Sequence, residues 1–397
     1  MKVKIGDCIE CNPTVKLVKG NKYPLIDIDK ITVGRKLVTH KASIIYDKQS
    51  GCKFQNGDTL MARITPCLEN GKIAMASIPD KGIGSTELFV FRGKKGITDN
   101  DFVYYFLKQD YIRDLATNSM TGASGRQRAD LKFIKKIAFK LPPLPLQQKI
   151  ASILSAYDTL IENNTRRIRL LEQMAENLYK EWFVRFRFPG HEKVEMVNGL
   201  PKGWEIKRVS NVCETIGGGT PTTTNSAYWG GDVKWVTPSD LTSKNSLALL
   251  KIKGRITEEG LKKSSAKLLP PYTILMTSRA SIGFFGICPN RVCTNQGFIS
   301  IIPNKEIFMM YLLYTFKSRK EEIISNANGS TFLEISKGRF RKMKVMIPSE
   351  DILDTFEKRT FLMFKEVLHL EYQNTLLTRQ RDLLLPRLMS GKLEVKP

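Results

Sequence analysis

Leu141-Pro-Pro-Leu-Pro-Leu-Gln-Gln-Lys-Ile-Ala-Ser-Ile-Leu-Ser-Ala-Tyr-Asp-Thr-Leu-Ile161 runs from a proline-rich boundary straight into a glycine-free stretch that continues to about Phe186. Steps of four and three residues from Ile150 meet Leu154, Tyr157, Ile161, Asn164, Ile168, Leu171, Ala175, Leu178 and Trp182. Nine of these ten are apolar, so the stretch is a helix of roughly 40 residues, about 60 Å long, with a heptad seam. Asn164 is the polar member of the seam and a candidate for fixing register.

The same pattern recurs 206 residues later. Phe356, Thr360, Met363, Val367, Leu370, Asn374, Leu377, Arg381, Leu384 and Leu388 give seven apolar positions of ten, with Pro386 expected to end or kink the helix near its last turn. Two seams of this length each need a partner. An antiparallel coiled coil of the two is the simplest answer, and packing on two separate cores is the alternative. The repeat extends upstream. Phe133-Ile-Lys-Lys-Ile-Ala-Phe-Lys-Leu-Pro142 aligns with Arg339-Phe-Arg-Lys-Met-Lys-Val-Met-Ile-Pro348, and both read as a strand running into a proline boundary. Thr59-Leu-Met-Ala-Arg63 resembles Thr273-Ile-Leu-Met-Thr-Ser-Arg279.

Four blocks result: a first domain at 1–141, a central helix and linker at 142–197, a second domain at 198–347 and a C-terminal helix at 348–397. The two globular blocks carry short β-branched runs broken by Gly, Pro, Asn and Asp, plus one helical candidate each, Asp101 to Asp114 and Glu306 to Ile324. The expected fold class is α/β: two mixed α/β domains, two long helices and an internal pseudo-twofold repeat.

The chain has 397 residues and a formal net charge of +24. The charge is not spread evenly. Block 1–141 carries +11 and block 198–347 carries +12, while the helical blocks carry +1 and 0. Two basic modules beside neutral helices fit two footprints on a polyanion, nucleic acid first.

Several chemistries are excluded. No GxxxxGK[ST] loop is present, since Gly217-Gly-Gly-Thr-Pro lacks the lysine. The Leu141-Pro-Pro-Leu and Leu269-Pro-Pro-Tyr pairs lack the Asn or Asp of an amino-methylating motif, and no Rossmann glycine fingerprint occurs. The carboxylates Asp80 and Asp232 are isolated, so no catalytic residues are assigned. Cys8-x-x-Cys11 is the sole CxxC and the three histidines are dispersed, so no metal site is expected. An odd count of seven cysteines, with no apolar leader at Met1 and no run long enough for a membrane span, suggests reduced thiols in a cytoplasmic protein.

Longer stretches carry a family resemblance. Leu141 to Ile161, Leu178-Tyr-Lys-Glu-Trp-Phe-Val-Arg-Phe-Arg-Phe-Pro-Gly190, Leu200-Pro-Lys-Gly-Trp-Glu-Ile-Lys-Arg-Val209, Gly218-Gly-Thr-Pro with Tyr228-Trp-Gly-Gly-Asp-Val-Lys-Trp-Val-Thr-Pro238, and Leu384-Leu-Pro-Arg-Leu-Met-Ser-Gly-Lys-Leu393 resemble type I restriction-modification specificity (S) subunits. The first half lacks the Gly-Gly-Thr-Pro and Tyr-Trp-Gly-Gly elements. The resemblance implies a non-catalytic subunit whose two target-recognition domains read the halves of a split, asymmetric double-stranded DNA sequence. It implies helices that set the spacer and dock two methyltransferase subunits and, through them, restriction/translocase subunits. It also implies no cofactor on this chain, with S-adenosylmethionine on the methyltransferase subunits. Two modules meeting one face of B-DNA sit about a helical turn, roughly 34 Å, apart. A bivalent DNA-binding regulator and a standalone DNA-modifying enzyme remain the alternatives.

Polar and basic residues on glycine-marked loops are the candidate DNA contacts. In the first domain these are Arg35, Lys36, His40, Arg63, Thr121, Ser124, Arg126, Gln127 and Arg128. In the second they are Thr220, Thr222, Thr223, Thr224, Tyr228, Lys234, Ser278, Arg279, Asn328, Ser330 and Thr331. Arg and Gln can pair bidentately with base edges; hydroxyls and lysines more often hold phosphates. Trp229 and Trp235 read as core rather than as base-stacking platforms, and Arg166, Arg167 and Arg169 as a solvated or partner-facing helix surface.

Overall fold

The computed structural model describes residues 2–122, 126–243, 246–329 and 331–395. It divides into two compact units, one of Met1–Asn163 with Thr375–Pro397 and one of Asn164–Asn374. Each unit therefore contains one globular block and one half of each long helix.

The long helices are Leu144–Tyr179 and Glu350–Met389. The first closes in a wide π-type turn over Lys180–Val184, and the second ends one turn past Pro386. Both seams face inward: all twenty seam positions are buried or half-buried. Within the first unit Ile150, Ala151 and Leu154 share a core with Leu385 and Leu388. Within the second, Asn164 donates to Gln373 (3.3 Å), Arg167 pairs with Glu366 (2.8 Å), and Ile168, Ala175 and Trp182 share a core with Phe356, Phe364 and Leu370. Partner numbers fall as the first helix advances, so the pairing is antiparallel. The two readings of the seams are not exclusive. The helices pair with each other, and each half also covers a domain core.

The two units repeat one sheet. In the first, the order is Ile9–Cys11, Leu88–Gly93, Thr59–Ala62, Ile73–Ala76, with Leu37–Val38 added at the edge. In the second it is Cys213–Gly217, Phe298–Pro303, Ile274–Thr277, Phe285–Ile287. The four shared strands are antiparallel in both. Thr59–Ala62 and Ile274–Thr277, which lie within the two matched stretches, are buried at every residue. Alternate side chains leave opposite faces of a strand, so such a strand needs apolar cover on both sides. It has it. Met61, Met75, Phe89 and Phe91 enter one core and Leu60, Ala74, Leu88 and Val90 another. In the second unit Ile274, Met276 and Ile299 enter one core, and Leu275 and Phe298 the other.

Between the sheet and the long helices lies a short helix with no polar side. Phe102 to Leu107 are all buried in Asn100–Lys108, as are Met309 to Phe316 in Met309–Ser318. A helix apolar all round must be covered all round. Its first backbone donors also need acceptors, and the long helices supply them. Gln147, with no exposed surface, accepts from the Asp99 amide (3.0 Å) and donates to the Ile97 and Pro142 carbonyls. Glu357 accepts from the Met310 amide (2.8 Å).

Two sequence expectations are corrected. Phe133–Pro142 and Arg339–Pro348 are not strands throughout. Helices Leu131–Lys136 and Lys337–Lys342 come first, 206 residues apart, and only then strands Ala138–Lys140 and Lys344–Ile347. The cause lies just upstream, where the Asp130 and Ser336 side chains cap the backbone amides of Lys132 and Arg339. Each single helical candidate is a pair of helices, broken at Gln109 and Arg319.

Arg381 occupies a seam position although it is charged, and it is only 1 % exposed. It pairs with buried Asp158, which also accepts from the Tyr105 hydroxyl, and it donates to the Gly34 carbonyl (3.2 Å). Arg381 also pairs with the exposed Asp382 (2.8 Å), so the charge stranded by loss of the guanidinium is Asp158. Stranding it costs about 3–5 kcal/mol, whereas replacing both members of the buried pair with apolar groups costs little. Arg381→Met is therefore expected to lower the opening free energy of Asn100–Lys108 by that amount, and adding Asp158→Leu to restore most of it. Hydrogen exchange of those amides measures both.

Burial pushes the Glu357 carboxyl up from 4.5 to about 8, against the opposing pull of the Met310 and Tyr311 amides. The folded state thus holds a proton that the unfolded chain releases near pH 4.5. Stability of the second unit should fall as pH rises from about 4.5 to about 8, on the order of 1 kcal/mol per pH unit. Glu357→Gln should flatten that profile in denaturation followed by tryptophan fluorescence, since all four tryptophans lie in this unit.

Candidate nucleic-acid interface

The chain leaving Thr59–Ala62 does not turn away. Arg63-Ile64-Thr65 continues the ladder against residues 127–129, which pair in turn with Thr121. The Arg63 carbonyl accepts from the Ala129 amide (2.8 Å), and the Gln127 carbonyl accepts from the Thr65 amide (3.1 Å). Thr121 and Arg128 exchange both backbone hydrogen bonds (3.1 and 3.0 Å) and close the hairpin. Five sequence-predicted residues, Arg63, Thr121, Arg126, Gln127 and Arg128, therefore belong to one ladder and loop. Arg128 grips Glu87 with a two-pronged ion pair (2.9 and 2.6 Å), which holds that carboxyl below its ordinary range. The Arg63 guanidinium lies 4.8 Å over the Phe89 ring, and its buried Nε has no hydrogen-bond partner among the described residues. Arg126 is exposed and Gln127 half-buried.

The second unit builds the same device. Ser278-Arg279-Ala280 extends Ile274–Thr277, with the Ser278 carbonyl accepting from Ile335 (3.0 Å) and the Ala280 amide donating to Leu333 (2.9 Å). Asn328 and Glu334 exchange both backbone bonds (3.0 and 2.8 Å). Glu334 lies 206 residues after Arg128 and takes its place in the ladder, with the charges exchanged: Arg279 sits 3.9 Å from Glu334 where Glu87 grips Arg128. The turn needs its glycine, because a Cβ on Gly329 would lie 2.0 Å from the Phe332 carbonyl oxygen. Arg279, Asn328 and Thr331 are exposed, while Ser278 is buried and serves through its backbone. Ser124 and Ser330 lie outside the described residues.

A separate group gathers around Gly217-Gly-Gly-Thr-Pro. The Trp235 and Trp229 indoles donate to the Gly219 and Thr222 carbonyls (3.0 and 3.2 Å) and meet edge to face at 5.0 Å. Both rings are half-buried supports of this loop. Thr220 donates to Gln296 (2.5 Å), Thr222, Thr223 and Thr224 are exposed, and Tyr228 and Lys234 are half-buried on the adjoining turn and strand.

Arg35, Lys36 and His40 stand apart from the hairpin of their unit. Lys36 donates to Ser155 on the central helix (2.7 Å), pairs with Asp101, and lies 5.3 Å over the Tyr105 ring. Its charge is engaged in holding this loop to the helices. Arg35 is half-buried with its carbonyl at 3.5 Å from the Tyr104 hydroxyl, and the buried His40 Nδ1 has no hydrogen-bond partner among the described residues.

Sequence reasoning passed over Arg339, which donates to the Asn328 side chain (2.6 Å) and the Asn326 carbonyl (3.2 Å) and so fixes the hairpin base. The run Lys337-Gly-Arg-Phe-Arg-Lys342 was the available signal. It also passed over Phe332 and Leu333 at the hairpin tip, 57 % and 46 % exposed. All seven cysteines are unbonded; burial pushes the Cys52 and Cys213 thiols up to about 12. Among the described residues no cluster of three or more His, Cys, Asp or Glu side chains converges, and no helix is long and apolar enough to cross a membrane.

Comparison with known proteins agrees with this doubled construction. Residues 1–173 and 201–366 each match the type I restriction modification DNA specificity domain. The HindI specificity subunit of Haemophilus influenzae is 26 % identical over 409 residues, covering 86 % of this chain and 87 % of that protein. The MjaIX specificity subunit of Methanocaldococcus jannaschii is 36 % identical over 172 residues; that match covers 43 % of this chain and spans 40 % of the relative's length. Among solved structures, the type I restriction-modification S subunit from M. genitalium shares the fold at a TM-score of 0.55 and 16 % identity, over 100 % of this chain and 96 % of that one. With both of its globular blocks matched, the chain belongs to the family of type I restriction-modification DNA specificity subunits.

Proposed function

We propose that this chain reads a split, asymmetric double-stranded DNA sequence, one half with each unit, and makes or breaks no covalent bond itself. The observation that carries this is the pair of matched hairpins, the same backbone ladder furnished with different side chains. A scaffold repeated with altered contact residues suits two different half-sites. The net charges of +11 and +12 on the two blocks supply the phosphate attraction, and the varied tips supply discrimination.

The long helices act as spacer and as the dock for two methyltransferase subunits, and through them for restriction/translocase subunits. Their outer faces support this role. Leu160, Leu170 and Met174 on the first helix, and Leu362, Tyr372, Leu376 and Leu383 on the second, are 41–65 % exposed at spacings that recur on one helical face. Apolar side chains in that arrangement suit a protein partner. S-adenosylmethionine and the transfer chemistry belong to the methyltransferase subunits, and the complex works on genomic DNA in the cytoplasm.

Methylome sequencing of cells co-expressing this chain with its methyltransferase partner tests the proposal. A methylated motif of two unlike halves around a fixed spacer is expected. A contiguous motif, or none despite complex formation, would sink it. Salt dependence gives a second test. Arg126 is exposed and unpaired by any described carboxylate, so Arg126→Ala should reduce the slope of log K against log salt by about 1. Arg128 is a poorer probe, because replacing it also releases Glu87 from the hairpin.

A further inference from the structure

The two hairpin tips differ in kind at equal register. An offset of 206 residues carries Arg128 onto Glu334 in the ladder, and it carries Arg126 onto Phe332 and Gln127 onto Leu333. The first unit thus presents a guanidinium and an amide, and the second a phenyl ring and an isobutyl group. Phe332 and Leu333 are 57 % and 46 % exposed, on a block whose net charge is +12. Neither belongs to any of the second unit's apolar cores. Their immediate surroundings are polar: Arg279 and Thr331 are exposed, and Asn328 is fixed by Arg339. An apolar pair set beside Arg279 and Arg339, with the adjoining Glu334 carboxylate 3.9 Å from the Arg279 guanidinium, suits a surface with phosphates outside and an apolar spot within. In the major groove of duplex DNA the one apolar group on a base edge is the 5-methyl of thymine.

We propose that Phe332 and Leu333 are specificity-determining residues that contact thymine methyl groups, so that the second unit selects its half-site by apolar contact. The first unit, with Arg126 and Gln127, selects by hydrogen bonds to purine edges. This inference rests on the DNA-reading function proposed above. Discrimination of this kind is modest per contact. Loss of one buried methyl weakens binding roughly fourfold, so a half-site read this way carries more than one thymine.

Replacing thymine by deoxyuridine removes the methyl and leaves every hydrogen-bonding group in place, so the test alters the DNA before it alters the protein. The full chain, in complex with its methyltransferase partner, is presented with a random duplex library amplified with dTTP and with the same library amplified with dUTP. Bound duplexes are sequenced. The expected result is a split sequence from the thymine library, with one half losing enrichment in the uracil library and the other half unchanged. The variant Phe332→Ala/Leu333→Ala should enrich the same sequence from both libraries. Arg126→Ala/Gln127→Ala should relax the other half and keep the uracil sensitivity. A split sequence recovered equally well from both libraries overturns this inference and leaves the proposed function standing. Absence of any enriched sequence overturns the proposed function and this inference with it.

Discussion

The short central helix of each unit is apolar on every side, and this constrains everything around it. One side rests on the sheet. The opposite side, and the backbone donors at the helix start, must be covered by something else. The long helices meet both needs, through Gln147 in the first unit and Glu357 in the second. The domains are therefore not beads attached to a rod. Each is completed by half of each long helix, and without that cover the side of the short helix turned away from the sheet, with the Asp99 or Met310 amide at its start, would face water. Gln147 does this with a neutral amide and Glu357 with a carboxyl that burial keeps protonated to about pH 8. Two side chains one helical turn apart in the repeat register have reached the same solution.

From this constraint the geometry of the proposed interface follows. Completion of the core fixes the sheet, and the sheet fixes the strands Thr59–Ala62 and Ile274–Thr277 at its centre. The backbone that runs on from each strand carries the hairpin. Arg63 and Ser278 are bound through their carbonyls to Ala129 and Ile335 by the continuation of buried strands. Backbone pinned in this way at Arg63, Thr65 and Ala129, and at Ser278, Ala280 and Ile335, loses little order when it meets a ligand. That preorganisation is what base discrimination at about 1–3 kcal/mol per contact requires.

Much of this was legible in the sequence, for physical reasons that can be named. The long helices announced themselves because a seam repeated over ten positions leaves no strand reading, and the common offset carried that register from Leu144 to Glu350. The helices at Leu131 and Lys337 were misread as strands because a six-residue apolar-basic run has no distinctive period, and only the Asp130 and Ser336 caps distinguish the two. Arg126 to Arg128 stand out in the sequence because glycine marks a turn and arginine suits an anion partner, and the fold places Arg126 on the exposed surface. Lys36 looked the same from sequence, but its partners Asp101 and Ser155 lie 65 and 119 residues away, and only folding brings them together. Phe332 and Leu333 give no such signal, because apolar residues in a sequence read as core and only the fold shows these two exposed.

The hairpin ladder is held by main-chain hydrogen bonds between Thr121 and Arg128 and between Asn328 and Glu334. Such bonds are indifferent to which side chains stand at the tip. Substitutions at exposed positions of this kind change stability by about 0.5 kcal/mol or less. Apart from Gly329, whose turn admits no Cβ, exposed positions such as Arg126, Phe332 and Leu333 are thus places where mutation meets almost no purifying pressure from the fold. Under the proposed reading, new target preferences arise there in single steps, each immediately shared by every enzyme that would take its address from this subunit.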